Sequence, residues 1–303
     1  MPVRYLWAFQ FTRRRISLKT WIDGVVIDTN PVLLTNSLHY GRAAFEGIRA
    51  YRIGANSTHL YKAEEHFERL KRSCEQVFLT NNLDTKQWIA ACHQVLAEGG
   101  LEEAYIRPIV FEGEGLGNLA DEYPVHHAVI AWEWDSKNEN ENPLRLSVSP
   151  FRRPDPAYSP CYGKVSGNYL LAKTAVQWAI KNKGADDAVI RTHDGYVSEA
   201  SARNLFAVID GVLVTPRSDQ CLNGITRRSV IEIARSLGLA LEERSVDCWE
   251  LLEANEVFLT STASEIVQVS SLELEGQVRT LAETKITVGI NDEFQRMKRE
   301  GNR

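Results

Sequence analysis

Lys164 stands in the stretch SPCYGKVSGNYL, between an aromatic-glycine pair and a run of small residues that leads into an apolar helix pattern. Lysine is ordinarily a solvated surface charge, and this stretch alone gives it no other role. Other residues could do chemistry beside it. In LNGITRRSV (222–230), Gly224 frees the backbone just before a helix whose first residues include Thr226. Unpaired amides at such a helix start, with the threonine hydroxyl, make a site for a phosphate; an N-cap threonine after a glycine turn is the plainer reading. TSTASEI (260–266) runs a strand end into a turn that offers more amides and hydroxyls. Glu199 leads VSEASARNLF towards Asn204, and Arg107 interrupts the apolar strand AYIRPIV. A charge in that setting is costly unless it faces a pocket or a carboxylate. GEGLGN (113–118) follows a strand as a phosphate loop does, but no helix start follows it, so it reads as a loop. Walker A, H-E-x-x-H and Cys/His-cluster patterns are missing, and no metal is expected.

The elements that hold these residues follow from periodicity. Asp-Gly pairs at Asp23-Gly24, Asp194-Gly195 and Asp210-Gly211 lie between β-rich runs and predict tight hairpins, because the dipeptide tolerates positive φ. Further strands are predicted in AYIRPIVFEG, HHAVIAWEW, LRLSVSPF and ANEVFLTST. A helix is predicted over 63–78, with Ala63, Phe67, Leu70, Cys74, Val77 and Phe78 on one face. The next helix carries Trp88, Cys92 and Val95. A third, over 168–183, turns Leu171, Ala175 and Trp178 inward and stops at Gly184; a fourth, over 226–237, stops at Gly238. The polar DSKNENENP (135–143), followed one strand later by the proline-rich RRPDPAYSP, marks a boundary near residue 140.

With 303 residues, 44% of them hydrophobic, the chain can bury a sizeable core as one large domain or two medium ones. A net charge of −5 without like-charge blocks draws it to neither nucleic acid nor membrane, which leaves small molecules as partners. Cys74, Cys92, Cys161, Cys221 and Cys248 include no C-x-x-C pair and read as a reducing, cytoplasmic setting. No apolar run reaches the length of a membrane span, and residues 1–20, with Arg13 to Arg15, read as an N-terminal extension without a secretory signal.

Taken together, the pieces resemble the class IV pyridoxal-phosphate-dependent aminotransferases, most nearly the branched-chain amino acid group. The resemblance is carried by Glu199-Ala-Ser201-x-x-Asn204-Leu205-Phe206, Leu213-x-Thr215 and Leu222-x-Gly224-Ile225-x-Arg227. HYGRAAFEGIR (39–49), EHFERL (65–70), AYIRP (104–108) and the series Arg153, Pro156, Pro160, Lys164, Gly167-Asn168-Tyr169 agree with it. It implies an α+β, two-domain fold of type IV: a small α/β domain over 21–140, a connecting strand and loop over 141–160, and a larger pseudo-barrel domain that binds pyridoxal 5′-phosphate over 161–303. A homodimer or higher homo-oligomer is implied too.

The resemblance also implies roles. Lys164 takes the place of the lysine that links to the cofactor and later, as a free neutral amine, moves the substrate proton. Glu199 takes that of the carboxylate facing the pyridine nitrogen, and Arg69 that of the arginine at the phosphate, joined by Gly224, the amides of Ile225 and Thr226, and Thr262. Tyr169 partners the phenolic oxygen, with Asn204 in support. Tyr40, Phe45 and Gly47 belong to the substrate pocket, and Tyr105 with the turn at Thr262 and Ala263 holds the α-carboxylate. Arg107, with Tyr40, receives the distal carboxylate of glutamate or 2-oxoglutarate. The implied activity is transamination of L-leucine, L-isoleucine and L-valine with 2-oxoglutarate. One departure stands out: after Trp134 the chain reads DSKNENENP, with no counterpart of the tyrosine that closes the pocket in that group. A D-amino acid or (R)-amine aminotransferase, an aminodeoxychorismate lyase, and a non-catalytic binding protein of the same fold are the competing readings.

Overall fold

A computed structural model describes residues 19–28, 35–54, 57–113, 119–134, 142–159 and 163–300. Most of the N-terminal extension, the glycine loop over 114–118, residues 135–141 of the polar stretch, and Pro160, Cys161 and Tyr162 lie outside the described residues.

Among the described residues, seven strands form a first sheet. They are β1 (Lys19–Ile22), β2 (Val25–Asp28), β3 (Ala43–Phe45), β4 (Ile48–Arg52), β5 (Thr58–Leu60), β6 (Ala104–Glu112) and β7 (Val125–Glu133). The order is β2-β1-β7-β6-β4-β5, with β3 also on β6, and every pairing is antiparallel. Period-two alternation places Ile106 and Val110 of β6 in the core and Tyr105 and Arg107 on the opposite face. Helices α2 (Ala63–Gln76) and α3 (Thr85–Gly99) cover the core face, while the short α1 (Asn36–Tyr40) ends at Gly41 in the left-handed region. Asp84 caps α3 with a reciprocal box to Gln87. Phe67 stacks on Trp88 at 5.7 Å, joining the two apolar stripes.

The second sheet is mixed: β8 (Leu144–Arg152), β9 (Asp187–Arg191), β10 (Val197–Ala200), β11 (Asn204–Ile209), β12 (Val212–Thr215), β13 (Leu241–Glu243), β14 (Glu256–Ser261), β15 (Glu265–Leu274) and β16 (Gln277–Thr280). Its order is β10-β9-β8-β15-β14-β11-β12-β13, with β16 on β15. Around it lie α4 (Tyr169–Lys183), α5 (Ile225–Ser236), α6 (Glu250–Glu253) and α7 (Lys285–Glu300). One apolar cluster spans both parts, joining Tyr51 and Tyr61 to Phe206, Phe258 and Phe294. Beside it the Tyr61 hydroxyl meets Ser229 Oγ at 2.9 Å, and Arg228 pairs with Glu65 at 2.6 Å, which ties α2 to the start of α5.

Two of the three Asp-Gly hairpins form as read: Asp23 and Asp210 have φ of 47° and 50°, each followed by a positive-φ glycine. At Asp194-Gly195 the structure has a longer loop, closed by Thr192 and Tyr196, because the threonine hydroxyl engages both Asp194 and the Tyr196 carbonyl. The first long helix stops at Gln76, so Phe78, expected inward, sits at φ 55° and is 87% exposed.

Candidate active site

A cavity of about 340 Å³ opens where the two sheets meet, lined by β3, Gly47, α2 and β6 on one side and by Lys164, Glu199 and the ends of α5 and β14 on the other. Lys164 is held by its backbone. Its carbonyl accepts from the Phe45 amide at 3.1 Å, its amide donates to Ser73 Oγ at 3.0 Å, and Val165 forms a bridge to Ala44. Those contacts aim the side chain into the cavity, where Nζ donates to the Tyr169 hydroxyl at 2.5 Å and lies 5.0 Å from the centre of the Phe45 ring. Gly167 packs directly on Gly41, its amide donating to the Gly41 carbonyl at 2.9 Å, which fits the small residues after Lys164 against α1.

Glu199 is delivered by a bulge: β10 shifts register between Val197 and Glu199, which re-aims the carboxylate out of the ladder. It pairs with Arg153 at 2.6 Å and accepts from Asn204 Nδ2 at 3.0 Å and the Leu222 amide at 3.2 Å. Burial pushes its carboxyl above the ordinary range, against the pull of Arg153 and the Leu222 amide. Asn204 also donates to the Leu222 carbonyl at 2.8 Å. Gly224 is required here because a side chain at that position would overlap Asn204 Oδ1.

Arg69 projects from the inward face of α2 and is gripped by Glu46: Nε donates to Oε1 at 2.7 Å and Nη2 to Oε2 at 2.8 Å. His66, one helical turn earlier, places Nδ1 at 2.8 Å from the same Glu46 oxygen. Burial alone would raise the Glu46 carboxyl, but Arg69 and His66 hold it well below the usual carboxylate range. Burial pushes the His66 imidazole down, so it is neutral near pH 7 and donates from Nδ1, while Nε2 has no partner. Arg69 Nη1 reaches the Asn223 carbonyl at 3.2 Å, beside the start of α5.

No side chain caps α5, whose N-cap is Gly224. The Ile225 and Thr226 amides therefore point their N–H groups at the cavity, with the positive end of the helix dipole behind them. Buried cavity-lining atoms without a partner among the described residues add to this: Thr260 Oγ1, Arg153 Nη1 and Arg107 Nε. Opposite, the Phe45 and Tyr169 rings meet at 4.9 Å, and the Arg107 guanidinium lies 4.6 Å from the Phe45 ring centre and 5.6 Å from that of Tyr105. Tyr105 is wedged against Trp132 and Trp134 at 4.9 and 5.4 Å.

Phe45, Gly47, Arg69, Tyr105, Arg107, Lys164, Tyr169, Glu199, Asn204, Gly224, Ile225, Thr226, Thr262 and Ala263 all line this one cavity. Tyr40 does not: it sits on the outside of α1, 47% exposed, because five helical residues closed by Gly41 turn its ring away from the chain's own pocket. Sequence reasoning gave no role to Glu46, His66 or Arg153. Glu46 carried a usable signal, since a carboxylate between the apolar segments around Phe45 and Ile48 needs a partner as much as Arg107 does. Cysteine chemistry is absent from the described part of the site: Cys221 is a buried neighbour of Glu199 whose thiol burial pushes up to about 12.

A lysine amine, a buried carboxyl, uncapped helix amides beside an arginine, and orphaned buried donors fit pyridoxal 5′-phosphate. The comparisons agree with this fit. Residues 43–272 match the family model described as amino-transferase class IV. The chain is 34% identical to the branched-chain-amino-acid aminotransferase of Pseudomonas aeruginosa over 260 residues, 84% of each chain. Its structure resembles that of a branched-chain aminotransferase from Thermoproteus uzoniensis with norvaline, with a TM-score of 0.85 and 32% identity over 93% of this chain and 95% of that one. It also resembles the PLP-form of a branched-chain amino acid aminotransferase from Thermobaculum terrenum, with a TM-score of 0.84 and 26% identity over 94% of each chain. A match running from the start of β3 into β15, with relatives of one kind along most of the chain, makes this protein a fold type IV, pyridoxal-phosphate-dependent member of the class IV aminotransferase family.

Proposed function

We propose that the chain transaminates L-leucine, L-isoleucine and L-valine with 2-oxoglutarate as acceptor. The observation that carries this reading is Arg107. Its guanidinium lies against the Phe45 and Tyr105 rings with Nε unpaired, so one wall presents both an apolar surface and an anion receptor. A glutamate-coupled exchange needs such a wall, because an aliphatic side chain and a carboxylate must occupy the same place in alternate half-reactions.

Pyridoxal phosphate, when bound, supplies a carbonyl carbon that condenses with amines and a ring that takes up the electrons released at the substrate Cα. Lys164 Nζ is the atom that moves the Cα proton, and Tyr169, hydrogen-bonded to it, orients it. Glu199, as a carboxylate, would accept from the protonated ring nitrogen; Arg153 and Asn204 keep it in place. Arg69 and the α5 amides of Ile225 and Thr226 bind phosphate, with Glu46 fixing the plane of the guanidinium. Tyr105 and the amides of Thr262 and Ala263 receive the α-carboxylate. Phe45, with Gly47 leaving room for the Tyr105 hydroxyl, excludes water from the side-chain pocket.

The test is a half-reaction panel on the pyridoxal-phosphate-loaded protein, read by its visible absorption. The three L-branched-chain donors and L-glutamate are expected to shift the band, and D-amino acids and simple amines to leave it unchanged. Lys164→Ala should slow the shift by about 10²–10⁴-fold, the usual contribution of a positioned acid–base group. A wild-type band indifferent to the four L-donors sinks the proposal.

A further inference from the structure

The turn that links β14 to β15 is braced by groups outside the cavity. The Ala263 carbonyl accepts from Arg49 Nη1 at 3.2 Å and from Trp134 Nε1 at 3.2 Å, and Arg49 Nη2 reaches the Trp134 carbonyl at 3.5 Å. Behind the turn sits Glu265, at φ 54° in the left-handed region that an L-residue enters only under constraint. Its oxygens accept from Lys298 Nζ at 2.7 Å each, from the Tyr51 hydroxyl at 2.8 Å and from Gln295 Nε2 at 2.7 Å, and Arg49 Nη1 lies 3.9 Å away.

Arg49, Glu265 and Lys298 are each 1% exposed. Two formal cations therefore share one carboxylate in a region closed to water, where charge is weakly screened. Both cations also lie on the Tyr51 ring, Arg49 Cζ at 5.1 Å and Lys298 Nζ at 4.8 Å, and Arg49 Nε has no partner. A cluster serving stability alone is best neutral, because a surplus buried charge is destabilising. On the other side of the turn, Thr262 and Ala263 line the cavity, and their amides have no partner among the described residues. Fixed N–H groups backed by a surplus positive charge make a receptor for an anion.

We infer that Arg49 and Lys298 are positioning residues: without touching substrate, they lock the Thr262–Ala263 turn and give it the positive potential that binds the α-carboxylate. The inference rests on the reading of that turn as the carboxylate site. Lys298 brings the C-terminal helix α7 into that role, 35 positions along the chain from the turn's Ala263.

The experiment compares two unreactive probes by calorimetry on the pyridoxal-phosphate-loaded protein: 4-methylpentanoate and its amide, alike in shape and unlike in charge. Lys298→Met removes the surplus charge and is expected to weaken the acid on the order of tenfold while the amide changes little. Glu265→Gln raises the surplus and should shift the acid-to-amide ratio the opposite way. Damage to the fold would weaken both probes and give both variants the same sign. Trp134→Phe removes the second donor to Ala263 and keeps an aromatic ring against Tyr105, whose packing bears on acid and amide alike; it should weaken the acid relative to the amide about threefold and decides the matter should Lys298→Met not fold. A ratio unmoved in Trp134→Phe, or moved in one direction by both charge variants, overturns the inference. A wild-type protein that binds neither probe overturns the reading of the pocket instead.

Discussion

The two ends of the cavity are built on opposite plans. Where Lys164, Glu199 and Arg69 converge, charges are paired before any ligand arrives: Arg69 with Glu46, Glu199 with Arg153, the Lys164 amine with Tyr169. Where Phe45, Tyr105 and Arg107 converge, aromatic rings form the wall and the cation rests on them with Nε unpaired. The first plan fixes atoms for one permanent occupant. The second leaves a charge half-satisfied by ring faces, able to accept a carboxylate or to lie flat beside an aliphatic chain.

The contrast breaks most visibly at Glu46. Its carboxylate is fully buried, bidentate to Arg69 and shared with His66, so Glu46→Gln leaves a buried arginine without its counter-ion. A loss of about 3–5 kcal/mol in unfolding free energy is expected at pH 7, read by urea denaturation. The sign of the pH dependence follows from the carboxyl being held below its ordinary range. The stability it contributes is present above the unfolded value of about 4.3 and is lost as pH falls through the lower folded value. The wild type should weaken steeply below about pH 4, and the variant, having lost that contribution, should show a flatter curve there. A variant within about 1 kcal/mol of wild type would mean that the cofactor end is not pre-paired.

The site's chemistry was more legible in the sequence than its pairing. Lys164, Glu199 and the α5 start each had a plainer local reading and stood out only together, through the family resemblance; the bulge and the uncapped helix start that present Glu199 and the α5 amides are short-range features. Glu46 and Arg69 are 23 residues apart, on a strand end and a helix, and nothing local says which cation meets which carboxylate. His66 and Arg69 lie on the flank of the α2 stripe that periodicity marks as core, and nothing in the sequence says that this flank is buried too. Phe78 failed in the other direction. A helix that ends two residues early at a left-handed turn reverses the side on which the next residue lies, and helix ends are the least determined part of a periodic pattern. The Thr192–Tyr196 loop had a different cause, a side chain competing with the expected turn for backbone groups.

At the other end, Arg107→Met keeps the length and apolar stem and removes the proposed anion receptor. With no carboxylate partner to orphan among the described residues, the change should leave stability within about 1 kcal/mol, in contrast to Glu46→Gln. Its effect belongs to discrimination. Loss of a charge-assisted contact of about 2–3 kcal/mol should raise the KM for glutamate and 2-oxoglutarate by roughly 30- to 160-fold, while the KM for leucine moves only a few-fold. Equal losses for both substrate classes would break the idea that one wall alternates between them.

Gly47→Ala sharpens the comparison with a smaller effect. A methyl on Gly47 would overlap the Tyr105 hydroxyl, and Tyr105 cannot swing aside freely, since it is 8% exposed and held by Trp132 and Trp134. Overpacking of this kind costs about 1–3 kcal/mol, shared between the fold and the displaced ring. Because Tyr105 is assigned to the α-carboxylate that donors and acceptors share, KM should rise about tenfold for leucine and glutamate alike, without the selectivity that Arg107→Met shows. Glu46, next to Gly47 in the chain, points into the pre-paired end, yet the added methyl faces Tyr105 and not Arg69. The affinity for pyridoxal phosphate, measured by absorbance titration, should therefore stay within about twofold of wild type. A change that weakened cofactor and substrate together would show that the two ends are mechanically one.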